Sequence, residues 1–354
     1  MPDVPYVWFG GKRKVAPMIW AALGDVDNYI EPFFGAGAVY LLRPHEPKTE
    51  TINDYDGFVC NFWRAVQSEP DKVAALMNWP VNEVDLEARH RWLCRQPDKT
   101  EFLERMKLEP DFYDVKRAAW WCWGINAWIG AGWCGGNYYQ EQHEMSNGCG
   151  VCKGANKRQH LGDAGHGVHR KRPHLGDAGH GVHRKLPSLG IAGKGEYERR
   201  GAVLRDWMLS LRDRLRNTRV CCGDWKRICT DGAMAHGRIK GVFLDPPYSK
   251  EANRDNDIYR CENLSVAHEA RDWCLRNGDN PAIRIALCGY DTEHTELAGH
   301  GWRAVAWKSN GGYSNFSQVN QQGKLNKHRE VVWFCPHCLR SGADDGILFD
   351  EGGK

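Results

Sequence analysis

Asp245-Pro246-Pro247-Tyr248 is the stretch best equipped for chemistry. It follows residues 239–244, a short apolar run with β-branched Ile239 and Val242 that reads as a buried strand. Two prolines fix φ and cannot donate to a ladder, so the chain must turn away rigidly. A carboxylate, a stiff carbonyl and an aromatic ring then project from the carboxyl end of a strand, where open α/β sheets bind ligands. Asp245 and the Pro246 carbonyl can both accept from an NH2 group and aim its lone pair at an electrophile. Tyr248 offers a face for a base flipped out of its stack. A plain strand-to-loop turn with a surface tyrosine would read the same way, so the tetrapeptide needs context.

Three other stretches supply it. Tyr6-Val7-Trp8-Phe9-Gly10-Gly11-Lys12 sets a glycine pair, which lets a ligand approach the backbone, between a ring and a cation. A surface turn is the plainer reading. A strand over 26–30 runs into Glu31-Pro32-Phe33-Phe34-Gly35-Ala36-Gly37 and a helix. Strand, Gly-x-Gly turn and helix make a nucleotide-cofactor loop. It lacks the third glycine of a dinucleotide fingerprint and the Lys-Ser/Thr of a phosphate loop, which disfavours a dinucleotide or ATP. A second strand, 49–53, ends at Asp54. That carboxylate is placed for ribose hydroxyls, or to cap a helix over 55–67, or both. Asp224-Trp225 ends a further strand over 219–222, and Asp224 also suits a helix cap.

These motifs sit on alternating strands and helices, which argues a doubly wound α/β sheet. Later strands fall at 282–288, 302–307 and 330–334, with a helix capped by Ser265 over 265–277. The helix over 196–217 turns Val203, Trp207, Leu211 and Leu215 to one face. From about residue 70 to 217 the alternation is interrupted by helical segments, a Trp-rich helix over 118–129 that reads as core, and loops. The chain of 354 residues carries a net charge of only +3. Yet 153–219 holds 16 Lys and Arg against 6 Asp and Glu, a net +10 that leaves −7 for the rest. A basic segment on an acidic protein points to a polyanion partner. Within it His160–Arg170 recurs unchanged as His174–Arg184. Such Gly/His/Arg copies are too few and too polar for a solenoid; they read as an extended basic loop able to track phosphates. Metal binding by the six His of the repeats is disfavoured by their glycine-rich spacing.

The 14 Cys are scattered through apolar segments and read as reduced thiols of a cytosolic protein. Cys149-Gly150-Val151-Cys152 and Cys335-Pro336-His337-Cys338 could meet as a four-thiolate zinc site, but free thiols are preferred and no metal ligand is assigned. No apolar run approaches the roughly 20 residues of a membrane span, and no targeting segment is read.

The order of motifs resembles the Dam-like α class of S-adenosylmethionine-dependent DNA adenine-N6 methyltransferases. That family's Trp-x-Gly-Gly-Lys matches Trp8 to Lys12, its Glu-Pro-Phe-x-Gly-x-Gly matches Glu31 to Gly37, its acidic residue after the second strand matches Asp54, and its Asp-Pro-Pro-Tyr matches Asp245 to Tyr248. Gly289-Tyr290-Asp291 and Glu330 to Trp333 look like its later segments. The basic repeats resemble segments of phage- or prophage-borne relatives.

The resemblance implies a Rossmann-like catalytic domain over 1–69 and 218–340. It implies an inserted, mostly helical and loop-rich target recognition region over 70–217, with an acidic, mobile tail over 341–354. It implies methyl transfer from S-adenosylmethionine, leaving S-adenosylhomocysteine, to N6 of a flipped adenine in double-stranded DNA. Trp8, Gly10, Gly11, Lys12, Glu31, Phe33, Gly35, Gly37, Asp54, Asp224 and Trp225 would hold the cofactor. Asp245 and Pro246, with Pro247 and Tyr248, would carry the chemistry. Arg170, Lys171, Arg172, Arg184 and Lys185 would touch DNA. A cytoplasmic place, in a bacterium or a phage's host, follows. Cytosine-N4 methylation, a non-catalytic DNA-binding protein on a methyltransferase core, and a zinc-dependent nucleic-acid module stay open as alternatives. So do a dimer and a partner nuclease.

Overall fold

A computed structural model describes residues 2–8, 10–128, 133–134, 194–247, 265–307 and 330–340, with side chains from 198 onward in the first helix after the gap. The repeats, Cys149, Cys152, the 310–328 loop and the 341–354 tail lie outside the described residues. The described elements run α1 (Ala16–Leu23), β1 (Asn28–Glu31), α2 (Ala38–Leu41), β2 (Thr49–Asp54), α3 (Gly57–Ser68), α4 (Pro70–Met77), α5 (Glu83–Arg95), α6 (Lys99–Leu108), α7 (Val115–Ala127), α8 (Lys194–Leu215), β3 (Thr218–Cys222), β4 (Lys240–Leu244), α9 (Val266–Asn277), β5 (Ile283–Tyr290), β6 (Arg303–Ala306) and β7 (Glu330–Phe334).

The strands form one sheet in the order β3-β2-β1-β4-β5-β7-β6. The first five are mutually parallel, and β7 runs antiparallel between β5 and β6. Near-continuous burial along β4, β5 and β7 follows from their runs of Val, Ile, Leu and Phe, as expected for strands covered on both sides. Strand order reverses between β1 and β4. Such a switch point opens a crevice at the carboxyl ends of the strands. Glu31, Asp54, Cys222, Leu244 and Tyr290 end their strands on that one edge. β7 begins there too, because Glu330 pairs with Tyr290.

Helices α4 to α8 share the sheet's core. α3, α4, α7 and α8 pack on one another, and Val73, Met77, Leu93, Trp121, Trp123 and Leu204 join one buried cluster. Arg64 of α3 fastens this layer: its buried guanidinium donates to Val220 O of β3 (3.0 Å) and to the Met106, Glu109 and Phe112 carbonyls (2.9–3.2 Å). Glu50 of β2 is clasped by Arg43 (3.1 Å) and Arg214 of α8 (2.9 Å). An uncompensated carboxylate at that depth would be strongly unfavourable.

Several local expectations shift. The buried stripe of α8 is Leu204, Met208, Leu211 and Leu215; Val203 is 44% exposed, since the apolar face is centred one residue later. β1 begins at Asn28 rather than 26. Asp56, not Asp54, caps α3, accepting from Phe58 N at 2.8 Å. Ser265 makes no side-chain cap to α9's backbone; its hydroxyl donates to Glu269. Among the described residues no helix is long and apolar enough to cross a membrane.

Candidate active site

The loop after β1 is shaped by two glycines in left-handed conformations, Gly35 (φ +50) and Gly37 (φ +67). Both positions also lack room: a Cβ on Gly35 would lie 2.5 Å from the Trp8 indole, and one on Gly37 2.5 Å from the Phe34 ring. Only glycine satisfies both demands. The helix this turn opens, α2, is just four residues long, so the turn does not present a long helix's N-terminus. The Gly35 peptide is clamped on both sides. Its N–H donates to Asp54 Oδ2 (2.9 Å), and its carbonyl accepts from the Tyr6 hydroxyl (2.7 Å). Trp63 donates to that same hydroxyl at 2.9 Å. Asp54 therefore sets the loop's conformation, while its other oxygen takes Asp56 N–H (2.8 Å).

Asn53 does similar work. From inside the sheet edge, 3% exposed, its amide donates to Pro32 O and to Gly223 O, both at 3.0 Å. One side chain thus ties the loop after β1 to the loop after β3. Sequence reading passed over Asn53, Tyr6 and Trp63. β2 is itself mostly polar, Thr-Glu-Thr-Ile-Asn-Asp, so Asn53 does not stand out in it.

After β3, the exposed Asp224 carboxylate accepts from Lys226 N–H (2.8 Å), and Trp225 turns inward at 5% exposure. The Trp225 ring lies 5.8 Å from Phe33 at 39°. Its buried indole N–H has no hydrogen-bond partner among the described residues. An aromatic pair with an unfilled donor suits a flat ring that carries acceptors.

After β4, Asp245 meets Lys12 at 2.9 Å, across more than 230 residues of sequence. The Lys12 side chain is 5% exposed and that of Asp245 is 21% exposed. Lys12 also donates to Gly10 O (2.8 Å), and its ammonium lies 5.8 Å from the Trp307 ring. Burial alone would lower the Lys12 pKa. Asp245 and, more weakly, Cys288 and Glu330 outweigh it, so the net shift is upward and Lys12 stays charged. Glu31 faces inward and accepts from the Tyr29 hydroxyl (2.8 Å). Burial pushes its carboxyl well above the usual carboxylate range, against the lowering by Tyr29; the Asp245 charge adds to the rise. Of the candidate residues, the structure thus gathers Trp8, Gly10, Lys12, Glu31, Phe33, Gly35, Gly37, Asp54, Trp225 and Asp245 at the carboxyl-end edge. Gly11 and Asp224 are exposed beside it, and Pro246 is buried next to half-buried Pro247. Tyr248, Arg170, Lys171, Arg172, Arg184 and Lys185 lie outside the described residues.

Cys335 and Cys338 sit against β5, 3.7 Å apart. Cys335 accepts from Ile285 N–H (3.2 Å) and Cys338 donates to Ile285 O (3.3 Å). The sheet backbone occupies both sulfurs.

The amino-terminal part of this edge is where the chain resembles known proteins. Residues 8–117 match the D12 class of N6 adenine-specific DNA methyltransferases. The matched segment carries Lys12, the Gly35–Gly37 loop and Asp54; Asp245 lies beyond it. The chain is also similar to the Type II methyltransferase M1.LlaDCHI of Lactococcus lactis subsp. cremoris, 27% identical over 114 residues, or 32% of this chain and 36% of that protein. Type II methyltransferase M.MjaIII of Methanocaldococcus jannaschii is 29% identical over 123 residues, or 32% of this chain and 41% of that one. The chain spans less than half the length of either relative.

Proposed function

We propose that the chain is a site-specific DNA methyltransferase acting on N6 of adenine, with S-adenosylmethionine as methyl donor and double-stranded DNA as substrate. One observation carries this reading. The switch point between β1 and β4 sets the glycine loop after β1 and Asp245-Pro246-Pro247 on one sheet edge, and Lys12 ties Asp245 to the Gly10 carbonyl.

The residues fit the donor. Half-buried Phe33, backed by the buried Trp225 ring, offers an aromatic face for its adenine. Asp54 stands at the end of β2, where an acidic residue meets ribose hydroxyls in such sheets. Gly35 and Gly37 give the loop its left-handed turns. When bound, S-adenosylmethionine supplies a sulfonium-activated methyl group for direct transfer to an amine.

The chain's own part is orientation. The Asp245 carboxylate and Pro246 carbonyl accept the two N–H groups of the target amine, leaving its lone pair directed outward. Lys12 keeps Asp245 ionised, hence an acceptor only. Tyr248 would stack on the flipped base. No nucleophilic side chain is needed, because the amine is itself the nucleophile, and positioning accounts for most of the rate. Residues 1–69 and 218–340 form the doubly wound catalytic part in this reading. Residues 70–217 serve target recognition, with Arg170, Lys171, Arg172, Arg184 and Lys185 on the phosphates.

The test is transfer of labelled methyl to unmethylated DNA, with the product nucleoside identified by mass spectrometry. N6-methyladenine from the native chain, and none from Asp245→Ala, is the expected result. N4-methylcytosine would move the reading to the other exocyclic amine. No incorporation by folded protein would overturn it.

A further inference from the structure

Away from the sheet edge, His90 and Cys94 stand four residues apart on α5 and so share one face of the helix. Cys134 reaches the same spot from the segment after α7. The His90 ring nitrogen and the two sulfurs all lie within 4.8 Å of one another, and Cys94 Sγ is 4.0 Å from His90 Nε2. All three residues are at most 2% exposed.

Buried thiols are commonly plain hydrophobes. Three features here go beyond that. First, Cys134 has φ +55, the one non-glycine among the described residues with a positive φ. Such a backbone is strained and persists only where its surroundings enforce it. Second, the neighbouring Trp133 is pressed against α7 where Gly124 has no side chain; a Cβ there would fall 1.8 Å from the ring. Sequence and backbone are thus both arranged to bring the Cys134 sulfur onto α5. Third, Trp128 stacks on the His90 ring (4.8 Å, 22°) and Trp133 flanks it at 5.1 Å, which fixes the imidazole and walls out water.

One imidazole and two thiols, buried together, are a donor set for a borderline-soft ion of tetrahedral preference. Zn–S and Zn–N bonds of about 2.3 and 2.1 Å put tetrahedral ligand atoms about 3.5–3.8 Å apart, so the cluster needs to contract by only about 1 Å. We propose that His90, Cys94 and Cys134 bind one zinc ion, with the fourth corner open to a further donor. The ion would bond α5 to the chain leaving α7. This inference does not depend on methyl transfer.

The test uses the full chain. Metal analysis after purification without chelator should find one zinc per chain. Treatment with a chelator and then a thiol-alkylating reagent, followed by peptide mapping, should show Cys94 and Cys134 becoming labelled only after zinc is removed, while Cys335 and Cys338 respond equally with and without it. Cobalt in place of zinc should give tetrahedral d–d bands with thiolate charge transfer. Those bands should be lost in Cys94→Ser and Cys134→Ser and kept in Cys335→Ser. If the serine variants fail to fold, the native chain still decides. Absence of zinc together with absence of thiolate–cobalt bands overturns the proposal. So does labelling of Cys94 and Cys134 that ignores the chelator, or a Cys94–Cys134 disulfide in place of metal.

Discussion

At the scale of single residues, Lys12 and Asp245 form the contact on which the site turns. The ammonium has the Gly10 carbonyl on one side and the carboxylate on the other. Lys12→Met removes the cation but keeps much of the stem. Asp245 is then left largely desolvated beside Glu31 and Glu330. The expected cost is about 1–3 kcal/mol of folding stability, less than for a fully buried pair because Asp245 keeps some contact with water. Methyl transfer should fall at least about 100-fold, because a carboxyl that takes up a proton no longer serves as a pure acceptor. Unfolding measured in denaturant and single-turnover transfer check the two numbers separately. The sign of the Lys12 shift also says where pH should not matter. A raised pKa gives stability that is complete below the ordinary lysine value of about 10.4 and fades only above it, so the pair contributes evenly through neutral pH. Asp245, Lys12 and the two glycines were legible in the sequence because rigid or permissive residues mark their own positions. Glu31 was legible as a motif member, but not its inward turn toward Tyr29, which depends on which side of β1 faces the core.

At the scale of elements, the loops are held by groups that no motif advertises. Asn53 donates to carbonyls 21 residues before it and 170 after it. A partner that is a backbone carbonyl leaves no trace in residue type, which is why sequence reading missed it. Asn53→Leu strips both loops of a donor inside a buried edge. The expected loss is about 1–3 kcal/mol, together with weaker binding of S-adenosylmethionine, read by thermal unfolding and calorimetry. Unchanged affinity would mean that the loops after β1 and β3 hold their places without this bridge. A second element-level device is His294, buried after β5 with its ring against Gly289. Burial lowers its pKa from 6.5 to about 4. The unfolded chain binds a proton near pH 6.5 and the folded chain only near 4. Stability is therefore complete above pH 6.5, declines as pH falls toward 4, and is flat below. The total is roughly 3 kcal/mol from this one group. His294→Gln should flatten that part of the stability–pH curve; an unaltered slope would assign acid sensitivity to other groups. The α8 stripe shows the finer limit of sequence reading. The 3.6-residue pattern located the helix, but Val203 and Leu204 are both apolar, and only packing on α4 chose Leu204.

At the scale of the whole molecule, strand order was beyond the sequence while strand content was not. Alternating elements announce a mostly parallel α/β sheet. That β4 lies beside β1, rather than beside β3 which precedes it in the chain, is settled by long-range pairing alone. The same adjacency has a consequence for how the protein is made. After residue 54 leaves the ribosome, β1 and β2 can pair, yet the far edge of β1 has no neighbour until residue 244 is synthesised. At about 5–20 residues per second, that edge stays open for roughly 10–40 seconds. Helices α3 to α8 emerge in the interval and can cover faces, and β3 pairs only with β2, so neither satisfies the far edge of β1. A nascent chain stalled before β4 should therefore be held by chaperones or aggregate. Conversely, a finished molecule cut within 135–193 keeps every strand pairing among the described residues, because the β1–β4 and β2–β3 ladders cross the cut without needing the peptide link. The two pieces should elute together on gel filtration and part only in denaturant, and each expressed alone should be insoluble until its counterpart is supplied.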